Sequence, residues 1–440
     1  MDFRLRDYLT APLGIWKAHR LMSLAPQMPR PKMENWILGR LQRICQNARV
    51  HIPFYREWFQ THNFDPDRLD SFDYWRRLPV LDKNIVRENL ERMQSDNAQS
   101  LGAVWCQTSG STGTAMRFLL DRSVNAAAFA LFWRAWAMAP GWFPGRRQAS
   151  LSGYAKGEWS YQWKTRILAL SSFHLRPEKA REFHSLILKY RPIFLRGYPS
   201  ALYLFGKLLE REGLRLEFPV MFSSAETLLL FQRQFIESFF KTRLIDHYTH
   251  WERTASICEC MHGRLHAQDD FGYHEILRKN GDPSPPSESG RLVCTSLHNL
   301  AMPLLRYDTR DLATWSAQTS CSCGSRFRIV DGIEGRVEDV VVTPEGRLVG
   351  RLDAAFKFSP NIVLAQIVQD TVEQITVSIV CGPAYNEQDD EKPLLRELRA
   401  RLGDRITIEL KRVSDLPRTP MGKLRFVVSR VCSSLKYGHN

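Results

Sequence analysis

Residues 108–114 read Thr-Ser-Gly-Ser-Thr-Gly-Thr and follow the apolar residues 103–105. Gly110 and Gly113 remove side-chain bulk, so backbone N–H groups and hydroxyls of this loop can approach a polyphosphate closely. The stretch is not a P-loop, because no Gly-Lys-Ser/Thr follows it. A cluster of Ser, Thr and Gly by itself more often forms an ordinary turn. Its interpretation therefore depends on the motifs that come later in the chain.

Four later motifs place aromatic or charged side chains beside short hydrophobic runs. They are DHYTHWE at 246–252, RYDTRDL at 306–312, GRVED at 335–339 and PRTPMGK at 417–423. Together with the glycine-rich loop, and in this order, they resemble the adenylate-forming superfamily of acyl-CoA synthetases, peptide-synthetase adenylation domains and luciferases. Each short match can arise by chance, but all of them in order over residues 108–423 form a specific signal.

The details resemble one branch, the phenylacetate–CoA ligase family with its CapK-like relatives in capsule biosynthesis. Arg310 stands where most of the superfamily has glycine. The segments LPVLDK at 78–83, GYPS at 197–200 and CSCG at 321–324 are also similar to that branch. The pair Glu252-Arg253 resembles the capsule relatives more than the true phenylacetate ligases. The resemblance extends from about Ile52 to Phe426.

The resemblance implies an α/β, adenylate-forming enzyme fold with two parts. A large adenylation domain would span residues 1–335 and contain a β-rich, zinc-stapled subdomain at about 255–330. A small, mobile α+β lid would span residues 336–440 and carry the catalytic lysine. The implied reaction is ATP-dependent activation of a carboxylic acid as acyl-adenylate with release of pyrophosphate, followed by acyl transfer to CoA.

Nucleotide contacts are implied for several motif residues. Tyr248 would stack on adenine, Asp311 would accept the ribose hydroxyls, and Arg336 would steady the ribose or the α-phosphate. Carboxylate oxygens suit Mg²⁺, so Glu252 is the expected magnesium ligand and a catalytic residue. The other expected nucleotide-binding residues are Thr108, Ser109, Gly110, Ser111, Thr112, Gly113 and Thr114 at the phosphates and Ser224, Ala225 and Glu226 beside the adenine.

Lys423 is the expected catalytic lysine. A flexible point charge on a mobile lid can bridge the carboxylate and the α-phosphate while charge develops. The neighbouring Gly422 allows the backbone to approach closely, which favours this role over that of an exposed loop lysine. Glu338 stands where the superfamily keeps its hinge residue. Tyr198, Ser223 and His247 are expected near the acyl pocket, but the acid itself is not specified by the sequence.

A second group of residues suggests a structural metal. Cys258, His266, Cys321 and Cys323 would supply three thiolates and an imidazole, a set that zinc prefers in closed tetrahedral sites. Cys260 and His262 compete for the same ion. The alternative is that the four residues are buried and unrelated.

The composition limits the classes of protein that fit. A chain of 440 residues is long enough for two or three domains, and 44% hydrophobic with 25% charged residues is ordinary for a globular protein. No apolar run approaches the ~20 residues of a membrane helix, and no signal-peptide pattern opens the chain, so a cytoplasmic protein is expected, and a homodimer would be compatible. The net charge of +14 favours anionic partners. No nucleic-acid motif is present, and ATP, an acid and CoA are all anionic.

Two other functions compete with CoA ligation. Adenylation can end in transfer to an amine, a hydroxyl or a carrier protein, which the capsule resemblance makes a serious alternative. The protein could also be a non-catalytic basic scaffold with a zinc-stapled core. Lys423, Glu252 and Asp311 argue against the scaffold, because a scaffold has no use for all three.

Hydrophobic spacing and turn residues predict the elements that carry these motifs. Helices are predicted at 36–50, 124–139, 200–212, 226–241 and 390–402, with Ser200 as an N-cap. Strands are predicted at 218–222, 244–248, 363–368, 374–380 and 405–410. The alternation of helix and strand over 179–240, followed by the strand at 244–248, indicates parallel strands with ligand loops at their carboxyl ends.

Overall fold

The computed structural model describes residues 5–107, 116–153, 155–336, 341–349, 352, 355–356, 359, 361–419 and 422–431. It contains two compact units, each made from two segments of the chain. The first unit combines Met1–Met138 with His247–Ile333, and the second combines Ala139–Asp246 with Glu334–Asn440. The predicted domain boundary between residues 335 and 336 is a different division of the chain and stays a prediction.

The helices of the described residues are α1 (Leu5–Leu24), α2 (Arg30–His51), α3 (Pro53–Thr61), α4 (Phe72–Trp75), α5 (Lys83–Glu88), α6 (Arg122–Trp136), α7 (Pro177–Tyr190), α8 (Pro199–Arg211), α9 (Leu230–Phe240) and α10 (Lys392–Leu402). The strands are β1 (Val104–Gln107), β2 (Arg117–Leu120), β3 (Gln148–Ser152), β4 (Trp159–Gln162), β5 (Ile167–Ser171), β6 (Leu195–Gly197), β7 (Val220–Ser224), β8 (Arg243–Thr249), β9 (Ser256–Glu259), β10 (Leu265–Ala267), β11 (Gly272–Leu277), β12 (Ser289–Ser296), β13 (Tyr307–Trp315), β14 (Ile329–Arg336), β15 (Val341–Val342), β16 (Leu348–Val349), β17 (Ile362–Thr371), β18 (Gln374–Cys381), β19 (Thr407–Arg412) and β20 (Val427–Ser429).

The first unit packs helices against an antiparallel sheet. Its strands follow the order β11-β12-β13-β14-β10-β9, and the last residues of β8 pair with β9. The buried face of α2 repeats at helical spacing through Ile37, Leu41, Ile44 and Ala48, none of which is exposed. The β-rich character expected for residues 255–330 is therefore present, and it positions Tyr248 and Asp311 on neighbouring parts of one unit.

The second unit contains the predicted parallel strands. The order is β7-β6-β3-β5-β4, with β3 parallel to β5 and β6, and β6 parallel to β7. Helix α8 packs closely on α9 at Gly206. A Cβ added there would lie only 2.7 Å from the Phe235 ring. The parallel strands end at one edge, where Tyr198 follows β6 and Ala225 follows β7.

The C-terminal part of the second unit has its own small core. Strands β19-β18-β17-β20 form a sheet, and α10 covers it with Leu394, Leu398 and Leu402. Ile367 and Val377 contribute from the sheet, and neither is exposed. The predicted smaller C-terminal α/β module is thus present in the described residues.

Most predicted elements agree with the structure, but their ends differ. Helix α9 begins at Leu230 rather than at 226, and β7 begins at Val220 rather than at 218. The predicted N-cap of α8 is wrong. Tyr198 is the N-cap and Pro199 opens the helix, as proline does where its missing N–H costs nothing. Within the described part of the chain, no helix is both long and apolar enough to cross a membrane.

Candidate active site

Tyr248 and Asp311 come from two separate motifs and meet in the first unit. The Tyr248 hydroxyl donates a hydrogen bond of 2.5 Å to Oδ2 of Asp311. Burial raises the pKa of Tyr248, and the charge of Asp311 raises it further, so the phenol stays protonated and remains a donor. The two residues predicted for adenine and ribose are therefore adjacent.

Asp311 lies on a strand of the first unit. It belongs to β13, at a bulge: Arg291 pairs with Leu312, whereas Val293 pairs with Asp308. Arg310, within the bulge, has a φ of 65°. Bulges re-aim side chains and are common beside active sites, which gives a physical reason for the position of Asp311.

Glu252 is held as a carboxylate by its neighbours. His250 Nδ1 lies 2.9 Å from one of its oxygens, and the Tyr307 hydroxyl donates to the other over 3.4 Å. Burial favours the neutral acid, but His250 and the charge of Lys83 outweigh it and bring the pKa of Glu252 to about 2. A partly buried carboxylate that stays charged at neutral pH has the chemistry of a Mg²⁺ ligand.

His247 lies in a buried and partly apolar setting in the same unit. Its Nε2 is 2.8 Å from the Ser256 hydroxyl, and its ring meets Phe132 edge-on at 5.4 Å between centroids. Burial and the charges of Arg134 and Arg253 lower the pKa of His247 to about 3, so it is neutral at physiological pH. Its assignment to the acyl pocket stays a prediction.

Arg253 directly follows Glu252, and sequence analysis assigned it no role. It is 4% exposed, has a φ of 57°, and lies over the rings of Phe132 and Trp251 at 5.8 and 5.5 Å. A positive φ outside glycine often marks a functional position. Its place directly after Glu252 was the only signal in the sequence.

Glu226 connects two segments of the second unit. One of its oxygens accepts the backbone N–H of Ser200 over 3.1 Å, and the other accepts that of Leu424 over 2.6 Å. Burial raises the pKa of Glu226, although these donors oppose the shift. Ser224 ends β7, and Ala225 turns the chain with a φ of 74°. The Glu226 carboxylate thus anchors the segment beside Lys423 to the start of α8.

Lys423 lies in a tight turn. Thr419 N donates to the Lys423 carbonyl over 2.9 Å, and Lys423 N donates to the Thr419 hydroxyl over 3.1 Å. Gly422 has a φ of 75°, and a Cβ there would lie 2.7 Å from the Ser172 hydroxyl. Only glycine fits this turn without strain, which explains the Gly-Lys pair of the motif.

The other residues expected near the acyl pocket are buried. Tyr198 is 3% exposed and belongs to the core around α8, and Ser223 is fully buried. The Ser223 hydroxyl donates to Asp246 over 2.7 Å. Their contact with a substrate stays a prediction.

Four candidate metal ligands converge in the first unit: Cys260, His266, Cys321 and Cys323. One ligand atom from each lies within 4.8 Å of those of the others. Cys258 is outside this group, and its thiol donates to the Glu259 carbonyl over 3.5 Å. The expected assignment of Cys258 is therefore corrected to Cys260, which lies at the β9–β10 turn with its N–H bonded to the Arg264 carbonyl.

The side chains of nine expected site residues are not described by the structure. The glycine-rich loop 108–114 and the hinge residue Glu338 lie outside the described residues. Arg336 ends β14, and only its backbone is described.

Comparison with known proteins gives one match to a family model, over the C-terminal part of the chain, and two relatives of broad coverage. Residues 341–430 match the family model of the CapK C-terminal domain. Protein CapK of Staphylococcus aureus is 25% identical over 404 residues, which cover 89% of this chain and 88% of that protein. The phenylacetate-coenzyme A ligase of Thermus thermophilus is 24% identical over 442 residues, covering 91% and 97%.

The fold of the chain also matches that of a solved structure. The crystal structure of 2-hydroxyisobutyryl-CoA ligase in its postadenylation state, in complex with R3-HIB-AMP, matches with a TM-score of 0.74. The match covers 94% of this chain and 93% of that chain at 19% identity. The chain is thus homologous to CapK and to phenylacetate–CoA ligases, and the predicted adenylate-forming fold is confirmed.

Proposed function

We propose that this protein activates a carboxylic acid with ATP and transfers the acyl group to coenzyme A. In the first step a carboxylate oxygen attacks the α-phosphorus, the bond to pyrophosphate breaks, and an acyl-adenylate forms. In the second step a thiol attacks the acyl carbon and AMP leaves. The observation that carries the proposal is the contact between Tyr248 and Asp311, with Glu252 held charged beside Tyr307, in a homologue of acid–CoA ligases.

The nucleotide roles follow from the chemistry of these groups. Asp311 has two acceptor oxygens for two ribose hydroxyls, and Tyr248 has a ring face for adenine. Glu252 fits Mg²⁺, and the bound ion would neutralise charge on the phosphates. The hydroxyls and N–H groups of loop 108–114 are assigned to the β- and γ-phosphates.

Lys423 supplies charge where the two anions meet. The acid and the α-phosphate repel each other, and an ammonium group between them favours the transition state. The anchor formed by Glu226 at Leu424 positions the backbone next to this lysine. We therefore assign Glu226 as a positioning residue for Lys423 rather than as an adenine contact.

The acyl pocket is assigned to the surroundings of His247. A neutral imidazole and the Phe132 ring suit the apolar part of an acid, while the Arg253 cation favours its carboxylate.

Cys260, His266, Cys321 and Cys323 are assigned to one Zn²⁺ with a structural role. Three thiols and an imidazole form a closed ligand set. His266 Nδ1 lies 3.3 Å from the Phe327 carbonyl, an arrangement that orients Nε2 toward Cys323 at 3.4 Å. Zinc would staple the β9–β10 turn to the segment before β14.

A second candidate keeps the adenylation and changes the acceptor to an amine, a hydroxyl or a carrier protein. It is the alternative that the resemblance to CapK-like relatives raises, and residues 341–430, which include Lys423, match the CapK C-terminal domain. To separate the two, the protein is given ATP, Mg²⁺ and a panel of acids, with CoA or with amines and alcohols. Mass spectrometry of the products identifies the acceptor: acyl-CoA supports the main proposal, and amide or ester without acyl-CoA contradicts it.

A further inference from the structure

Three segments of the second unit form a surface at the edge where its parallel strands begin. They are residues 141–147, 161–166 and 189–191, and they precede β3, β5 and β6. Gln148 N and the Tyr190 hydroxyl both donate to the Arg166 carbonyl, over 3.1 and 2.7 Å. We call these three segments the basic edge surface. Strand direction puts it opposite the edge that carries Tyr198 and Glu226.

The basic edge surface is strongly and uniformly positive. Its segments contain six Lys or Arg and no Asp or Glu. All six cations are exposed: Arg146, Arg147, Lys164, Arg166, Lys189 and Arg191. Solvated helix faces usually mix both signs, so a surface of one sign points to an anionic partner.

Large aromatic side chains lie among these cations. Trp163 is 70% exposed, Phe143 56% and Tyr161 47%. Cations lie over three of the rings in this surface: Arg146 over Phe143 at 5.3 Å, Arg147 over Tyr190 at 5.5 Å and Lys164 over Trp163 at 5.4 Å. Tyr and Trp are enriched at interfaces, where the ring contacts an apolar region and its polar atom contacts water.

We propose that the basic edge surface docks on an anionic lipid bilayer. Trp, Tyr and Phe suit the level of the lipid headgroups, and Lys and Arg are attracted to anionic lipids near the membrane surface. Single-stranded nucleic acid would stack bases on aromatic faces, but here one face of each of those three rings already carries a cation. Docking in this orientation leaves the carboxyl ends of the parallel strands directed away from the bilayer.

Co-sedimentation with vesicles tests the proposal on the full chain. We expect binding to mixed phosphatidylcholine–phosphatidylglycerol vesicles, none to phosphatidylcholine alone, and release by high salt. Lys164→Glu/Arg166→Glu should weaken binding at least about 25-fold, because each lost cation accounts for ~1 kcal/mol. Lys392→Glu/Arg396→Glu on α10 is the matched control, with the same charge change at two exposed positions, and should bind like the wild type.

Trp163→Ala tests the aromatic part separately and should weaken vesicle binding about tenfold through lost apolar burial. Circular dichroism and thermal melting confirm that each variant folds. If both double variants lose vesicle binding equally, the overall charge of the protein explains the binding, and the proposal is overturned. Binding that does not depend on phosphatidylglycerol would also overturn it. A protein that binds single-stranded RNA but not vesicles, and loses the RNA in Lys164→Glu/Arg166→Glu, would overturn it as well.

Discussion

Lys423 lies in a turn that backbone hydrogen bonds with Thr419 hold in place. The turn with Thr419 fixes the backbone, and Glu226 anchors the next residue. Lys423→Ala removes the charge and keeps the turn, so we expect adenylation to fall roughly 10²–10⁴-fold. ATP binding and transfer from a supplied acyl-adenylate should persist, as single-turnover assays of each half-reaction would show. Adenylation at the wild-type rate would refute the assignment.

Glu226→Ala removes the anchor of the neighbouring backbone but keeps the charge of the Lys423 side chain. We expect adenylation to slow about tenfold, the scale of a lost hydrogen bond to a charged group, while acyl transfer is unchanged. Glu210→Ala is the control, since Glu210 is a carboxylate of the same unit that pairs with Lys207 on α8. Equal slowing of both half-reactions in Glu226→Ala would indicate a structural role alone.

At the scale of elements, the β9–β10 turn decides which cysteine joins the candidate metal group. Cys260→Ser should lose the zinc that elemental analysis is expected to find at about one ion per chain, and should lower the Tm. Cys258→Ser is the matched control, because Cys258 is two residues away and outside the group. Retention of the metal in Cys260→Ser, or its loss in Cys258→Ser, would contradict the assignment.

Three local features, among them the choice of cysteine at this turn, could not be predicted from the sequence. The order of helices and strands followed from periodicity, because each element depends mainly on residues close in sequence. The cap of α8 did not, because the acceptor for Ser200 N is Glu226, 26 positions away. Helix α9 starts late because Ala225, at a φ of 74°, first turns the chain. The choice of Cys260 over Cys258 depends likewise on the pairing of two strands and not on spacing.

At the scale of the whole molecule, adenylation and acyl transfer require different groups at the same anhydride. A small domain that carries Lys423 can allow both only by rotating about a few residues. Glu338→Pro fixes φ near about −65° and removes a backbone donor. We expect it to impair one half-reaction far more than the other in single-turnover assays. Equal slowing of both would place the hinge elsewhere.

The central claim is acid activation by ATP at Tyr248, Asp311 and Glu252. Acid-dependent exchange of labelled pyrophosphate into ATP tests it most directly, because exchange requires reversible formation of the acyl-adenylate and no acceptor. We predict exchange with at least one acid of a broad panel. In Asp311→Ala the KM for ATP should rise roughly tenfold or more while kcat changes little, since ribose contacts are made in ground and transition states alike. Exchange that proceeds without any acid, or with an unchanged KM for ATP in Asp311→Ala, would contradict the account.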